Sequence, residues 1–210
     1  MQLLSSFKSV KFGLLVGIGG GIPSEEADIR LSDVVVGLPT TRSTNGGMAH
    51  YDLRKATRGG KLERTGCLNR RPQILATAVS KLRAIHQMEG SQTPSFVNVI
   101  GRKYPRMRDL YTGHGHSDLL FEAGYLHKRK RPTCSKCSTT RLVDRRERKS
   151  KEPVIHYGTI ALGIKVIKDT QVRDRIGRKL GAYCVEMKLR ACSTTIMPRH
   201  TWYMRLRRLA

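Results

Sequence analysis

Apolar residues in this chain fall into short runs separated by glycine-rich or basic text, and each run has a recognisable period. Residues 12–18 are almost wholly apolar and of the length of a buried strand, with Gly19, Gly20 and Gly21 closing the run. A glycine cluster there lets the backbone turn and approach a ligand without a Cβ in the way. The β-branched run at residues 33–37 reads as a second strand, and a short third is expected near residues 48–53 inside a long loop over 38–66. Pro72 opens a helix in which Ile74, Leu75, Ala78, Val79, Leu82 and Ile85 recur at helical spacing, with Gly90 past its end. A second helix is expected over 94–107. Residues 154–163 read as a strand, 168–180 as a polar helix stopped by Gly181, and 182–187 as another strand. Strands alternating with helices predict α/β architecture, a mixed sheet with helices on both faces. No internal repeat is present.

Charge changes the picture of partners. Forty Lys and Arg against 16 Asp and Glu leave a formal charge of +24 over 210 residues, which favours polyanions. The cations concentrate at residues 128–131 and 145–149, within an irregular basic stretch over 108–151 that reads as a surface excursion. Clustered cations bind phosphates by releasing counterions. No zinc-finger, RRM, KH or basic-zipper spacing accompanies them, and aromatics make up only 6% of the chain, too few for an evident stacking platform. Solvated basic loops are the plain reading of both runs, with non-specific polyanion binding as the functional one. Five cysteines without a signal peptide point to a reducing, intracellular setting, cytoplasmic or nuclear. No apolar run approaches the roughly 20 residues of a membrane span, so no membrane partner is expected.

Candidate chemistry is sparse. Cys134-Ser135-Lys136-Cys137 is one CxxC, and a structural zinc needs four ligands, so no metal site is assigned, although His114, His116 and His127 are near in sequence. The glycine run lacks the spacing of a dinucleotide fingerprint and has no P-loop Lys. No cofactor is implied.

Taken in order, "LLVGIGGGI", "DVVVG", "HYGTIALG" and "VEM" resemble the purine and uridine phosphorylase superfamily, which includes the methylthioadenosine and S-adenosylhomocysteine nucleosidases. The nearest likeness is to the amino-terminal domain of fungal NLR-like and ankyrin-repeat proteins, carried by "FGLLVGIGGGIPS", "FEAGYLH", "CSKC", "RLVDR" and "IHYGTIALG". The resemblance implies a three-layer α/β/α domain over residues 1–187 that binds a purine nucleoside across strand ends. It also implies cleavage of the N-glycosidic bond, by stabilising an oxocarbenium-like sugar and protonating the departing base.

Carried over by position, Gly17, Ile18, Gly19 and Gly20 match the glycine loop under the ribose, and Gly158, Thr159 and Ile160 match the segment lining the base pocket. Leu15 and Ile18 stand where phosphorylases carry a phosphate-binding Arg and Ser, which favours hydrolysis over phosphorolysis in any active relative. Glu186 and Met187 match the first two letters of the family's Glu-Met-Glu. Lys188 replaces the third, the carboxylate that holds the ribose hydroxyls. An ammonium only donates, each lost charged hydrogen bond costs about 1.5–3 kcal/mol, and a cation repels the positive sugar of the transition state. The family's first strand with its acidic residue, and its last strand and helices with the Asp that protonates the base, have no counterpart. The expectation is an incomplete, catalytically inactive fold that at most binds nucleoside. The alternatives are a basic nucleic-acid-binding protein on a decayed fold, or a nucleosidase completed by a partner chain. Residues 188–210 read as a non-homologous basic tail. With Met187 to Ala191 coded as ATG AAG CTG CGG GCC, restoring one G after ATG gives Met-Glu-Ala-Ala-Gly, the family's continuation; a shifted reading frame is the expected origin of the tail, and an ordinary basic tail is the alternative.

Overall fold

The computed structural model describes residues 9, 14, 16–40, 46–52, 54–56, 62–64, 73–107, 118–125, 134, 137–150, 152–186 and 206–207. The elements in chain order are β1 (Gly19–Gly21), β2 (Val34–Gly37), β3 (Met48–His50), β4 (Arg54–Ala56), β5 (Leu62–Arg64), α1 (Gln73–Glu89), α2 (Thr93–Lys103), β6 (Ile155–Leu162), α3 (Thr170–Leu180), β7 (Ala182–Glu186) and β8 (Leu206–Arg207). The architecture is mixed α/β around a mixed sheet, in the order β2-β6-β7-β1-β8 with β3 also on β6.

The longest strand organises the sheet. In β6 the run Ile160-Ala161-Leu162 is fully buried, as parallel strands covered on both faces are. β2 runs parallel to its first half and β3 to its second, while β7 runs parallel to its second half from the opposite side. One extra residue in β7, Tyr183, bulges where Thr159 pairs Ala182 and Ile160 pairs Cys184.

Alternation along β6 separates two faces. On one, Ile155 and Tyr157 pack with Val36 and with Leu75 and Val79 of α1, and Ala161 packs with Leu180 and Ile176 of α3. On the other, Ile160 and Leu162 pack with Val35, Cys184, Ala27 and Ile29. Sequence alternation predicts helices on both faces. Instead, the two helices with residues in these clusters share one face, and the segment containing Ala27 and Ile29 covers the other. Short apolar side chains in a loop suffice there, because Ser24 and Ala27 satisfy each other's polar atoms locally.

The first strand departs from expectation. Leu14, Val16 and Ile18 are exposed and outside any strand, and the glycines form β1 themselves, antiparallel to β7 and parallel to β8. A Cβ at Gly19 would lie 2.8 Å from the Val185 carbonyl oxygen, so the slot beside β7 admits glycine and excludes the aliphatic run before it.

α3 begins and ends as its sequence dictates. The Asp169 carboxylate accepts hydrogen bonds from the Gln171 and Val172 N–H groups at 2.8 and 3.0 Å, and Gly181 closes the helix in the left-handed region at φ 59°. α1 buries only part of its predicted stripe. Leu75 and Val79 face the sheet, whereas Ile74 and Leu82 lie on the neighbouring row and are exposed. Pro72 lies outside the described residues. The second helix stops at Lys103, and Pro105–Met107 form a separate 3-10 turn. The β4–β5 hairpin falls where the sequence predicts a loop.

Candidate functional site

Three parallel strands finish together. Leu162 of β6 is in register with His50 of β3 and with Glu186 of β7, and β1 brings Gly19 alongside, one step beyond the Gly20–Val185 pair. Ligand crevices of α/β sheets lie outside such carboxyl ends. Backbone bonds seal the ends to one another. Tyr51 N–H donates to Leu162 O at 2.9 Å, and Gly163 N–H donates to Glu186 O at 3.0 Å.

Glu186 is the buried acid of this cluster, at 3% exposure. Its Oε2 lies 3.6 Å from the position a Cβ on Gly19 would occupy, an ordinary contact distance, whereas the Val185 carbonyl oxygen at 2.8 Å is what requires glycine there. Asp52 accepts from Ile164 N–H at 2.6 Å and lies 3.8 Å from His50 Nδ1. Tyr51 spans the ends, with its hydroxyl donating to Lys165 O at 2.5 Å and its ring over Gly163, where a Cβ would be only 2.1 Å away. Burial, reinforced by the negative charges of Asp52 and Glu186, pushes the Tyr51 hydroxyl up to about 12, so it is a donor at neutral pH. Burial likewise pushes up the Cys184 thiol, which is therefore inert as a nucleophile.

Of the site residues expected from sequence, the structure brings Gly19 and Gly20 of β1 beside Glu186. Gly17 is half-buried and Ile18 exposed on the approach to β1. Gly158, Thr159 and Ile160 lie further back in β6, where Ile160 pairs Cys184 two steps before Glu186. Thr159 and Ile160 have no exposed surface, and Gly158 is pressed against the Tyr183 ring. Met187 and Lys188 lie outside the described residues. His50, Tyr51 and Asp52 carry no motif in the sequence, and Gly163 closes the HYGTIALG run without a role of its own. Their one available signal is position at the ends of expected strands, which the carboxyl-end rule marks.

A second charged cluster holds the back of the sheet. Asp33, with no exposed surface, accepts from Arg148 Nη1 and Nη2 at 2.8 and 2.6 Å, from Val154 and Arg30 N–H at 2.9 and 2.8 Å, and contacts His156 Nε2 at 2.9 Å. Asp28 binds Arg30 and Arg145, and Asp118 reaches Arg145 at 3.2 Å. Arg30 also donates to the Arg146 carbonyl. The 145–149 run is therefore only in part a solvated basic loop: Arg145 and Arg148 are turned inward and paired with aspartates, whereas Arg146, Glu147 and Lys149 are exposed. The 128–131 run lies outside the described residues. Among the described residues no group of three or more His, Cys, Asp and Glu converges to hold a metal ion, and no helix is long and apolar enough to cross a membrane.

Neither a protein-family model nor a solved structure matches the chain. It is similar to a nucleotide-binding leucine-rich repeat (NLR)-like protein of Hyaloscypha variabilis, 38% identical over 195 residues, which make up 90% of this chain. The chain spans 18% of the length of that relative.

Proposed function

We propose that this chain is a nucleoside phosphorylase-like module of an NLR-like protein, one that holds a purine nucleoside at the carboxyl ends of β3, β6 and β7 and does not cleave it. The observation that carries this reading is the meeting of the bare β1 backbone at Gly19 with the buried Glu186. An acid at the shared end of three parallel strands offers a sugar hydroxyl an acceptor. The Tyr51 hydroxyl, its proton given to the Lys165 carbonyl, offers an acceptor lone pair at the same strand ends. In the family the sequence resembles, this is where the ribose lies, within the three-layer arrangement expected of the domain. Loss of turnover is argued from Lys188, which brings a cation to the position of the second ribose-binding acid.

Incubation of the purified chain with adenosine or methylthioadenosine, with and without inorganic phosphate, tests both halves. Chromatography is expected to find no adenine above the buffer control, while adenosine raises the melting temperature and Glu186→Ala removes that rise. Lys188→Glu is expected to tighten nucleoside binding about tenfold or more by restoring a charged acceptor. Adenine release above background would overturn the non-cleaving reading, and a melting temperature indifferent to every purine nucleoside would overturn the binding one.

A further inference from the structure

α2 contributes no residue to the three core clusters. None of its residues is buried, yet Phe96, Val99, Ile100 and Tyr104 recur at three- and four-residue spacing and form one apolar stripe. Phe96 and Val99 are 62% and 60% exposed. Arg102 and Lys103 flank the stripe at the carboxyl end of the helix, and the Lys103 ammonium lies 5.5 Å from the centre of the Tyr104 ring. Between Glu89 and Asp109 the sequence holds four cations, Arg102, Lys103, Arg106 and Arg108, within a chain of formal charge +24.

We propose that this face docks on an anionic lipid surface, with α2 lying in the plane of the interface. An amphipathic helix with an aromatic on its apolar side and cations beside it fits that environment, since the apolar side chains enter the acyl boundary while Lys and Arg meet lipid phosphates. The length limit that excludes a membrane span does not apply to a helix parallel to the surface. A second copy of this chain is disfavoured as the occupant because both copies carry the same large positive charge. The exposed row stands out from the helix surface, which suits a deformable bilayer and requires no preformed groove in a partner.

Sedimentation of the intact chain with phosphatidylcholine vesicles, with and without phosphatidylserine, is the test. The chain is expected to pellet only with the phosphatidylserine vesicles, less so at raised salt. The double variant Phe96→Glu, Val99→Glu is expected to lose about tenfold or more in partitioning. Arg102→Glu and Lys103→Glu are expected to lose about fivefold each. All four side chains face solvent, so circular dichroism and melting temperature should match the parent. Phe96→Trp in a Trp202→Phe background should give a blue-shifted emission on the same vesicles, which reports insertion. Equal pelleting by the parent and the Phe96, Val99 variant would overturn the proposal, since diffuse charge alone would then account for the binding. An intact chain left in the supernatant with phosphatidylserine vesicles would overturn it too, as expected if a protein covers the face instead.

Discussion

Asp33 is a carboxylate with no surface in contact with solvent, held by two guanidinium hydrogen bonds, an imidazole and two backbone N–H groups. Burial alone would raise its pKa, but Arg148, His156 and the Val154 and Arg30 amides outweigh burial and hold the carboxyl well below its ordinary 3.8. The ionised form is therefore favoured by folding. Between the folded value and 3.8 the unfolded chain binds more protons, so the contribution is complete above the ordinary carboxyl range and is lost as pH falls. Urea unfolding should accordingly show stability falling from about pH 5 to about pH 3, with a shallower fall in Asp33→Asn. At neutral pH, Asp33→Ala should cost about 3 kcal/mol or more, because it leaves the partly buried Arg148 without its counter-charge. A second residue-scale prediction concerns Gly19. Gly19→Ala places a methyl 2.8 Å from the Val185 carbonyl and should cost about 1–3 kcal/mol in the same measurement, with loss of any nucleoside response, since β1 must move from β7 and Glu186.

Elements whose ends are specified by local chemistry are legible in the amino-acid sequence itself. α3 is the clearest case: Asp169 caps it, Gly181 stops it, and the expected 168–180 differs from the observed span only at the first residues. Asp169→Ala should lower stability by about 1 kcal/mol, read from thermal or urea unfolding, because two N–H groups lose their acceptor. The glycine strand is illegible for the opposite reason. A β-branched or aliphatic run has the higher strand propensity, yet at Gly19 a Cβ would meet the Val185 carbonyl, so tertiary packing overrides propensity there and the strand falls on Gly19–Gly21. α1 illustrates a partial reading. Its period is helical as expected, but the sequence cannot say which of two adjacent apolar rows meets the sheet, and only the row through Leu75 and Val79 does.

At the scale of the whole molecule, folding redistributes charge without changing its sum. The net +24 already counts every acid, but Asp28, Asp33 and Asp118 are drawn together with Arg30, Arg145 and Arg148 in one cluster, which leaves the excess cations elsewhere on the chain. The candidate site divides in the same way. Glu186 and the glycine run are visible as motifs, since residue type alone marks an acid ending a strand and a backbone without side chains. His50, Tyr51 and Asp52 are not, because their relevance comes from β3 ending in register with β6 and β7, more than a hundred residues away in sequence. By itself the sequence determined the α/β class, the helix periods, the caps of α3 and the excess of positive charge, all of which depend on neighbours along the chain. Tertiary structure alone decided which glycines became a strand, which arginines were turned inward, which face of the sheet the helices took and which side chains gather at the strand ends. Those outcomes depend on steric fit and charge pairing between segments that only the fold brings within a few ångströms.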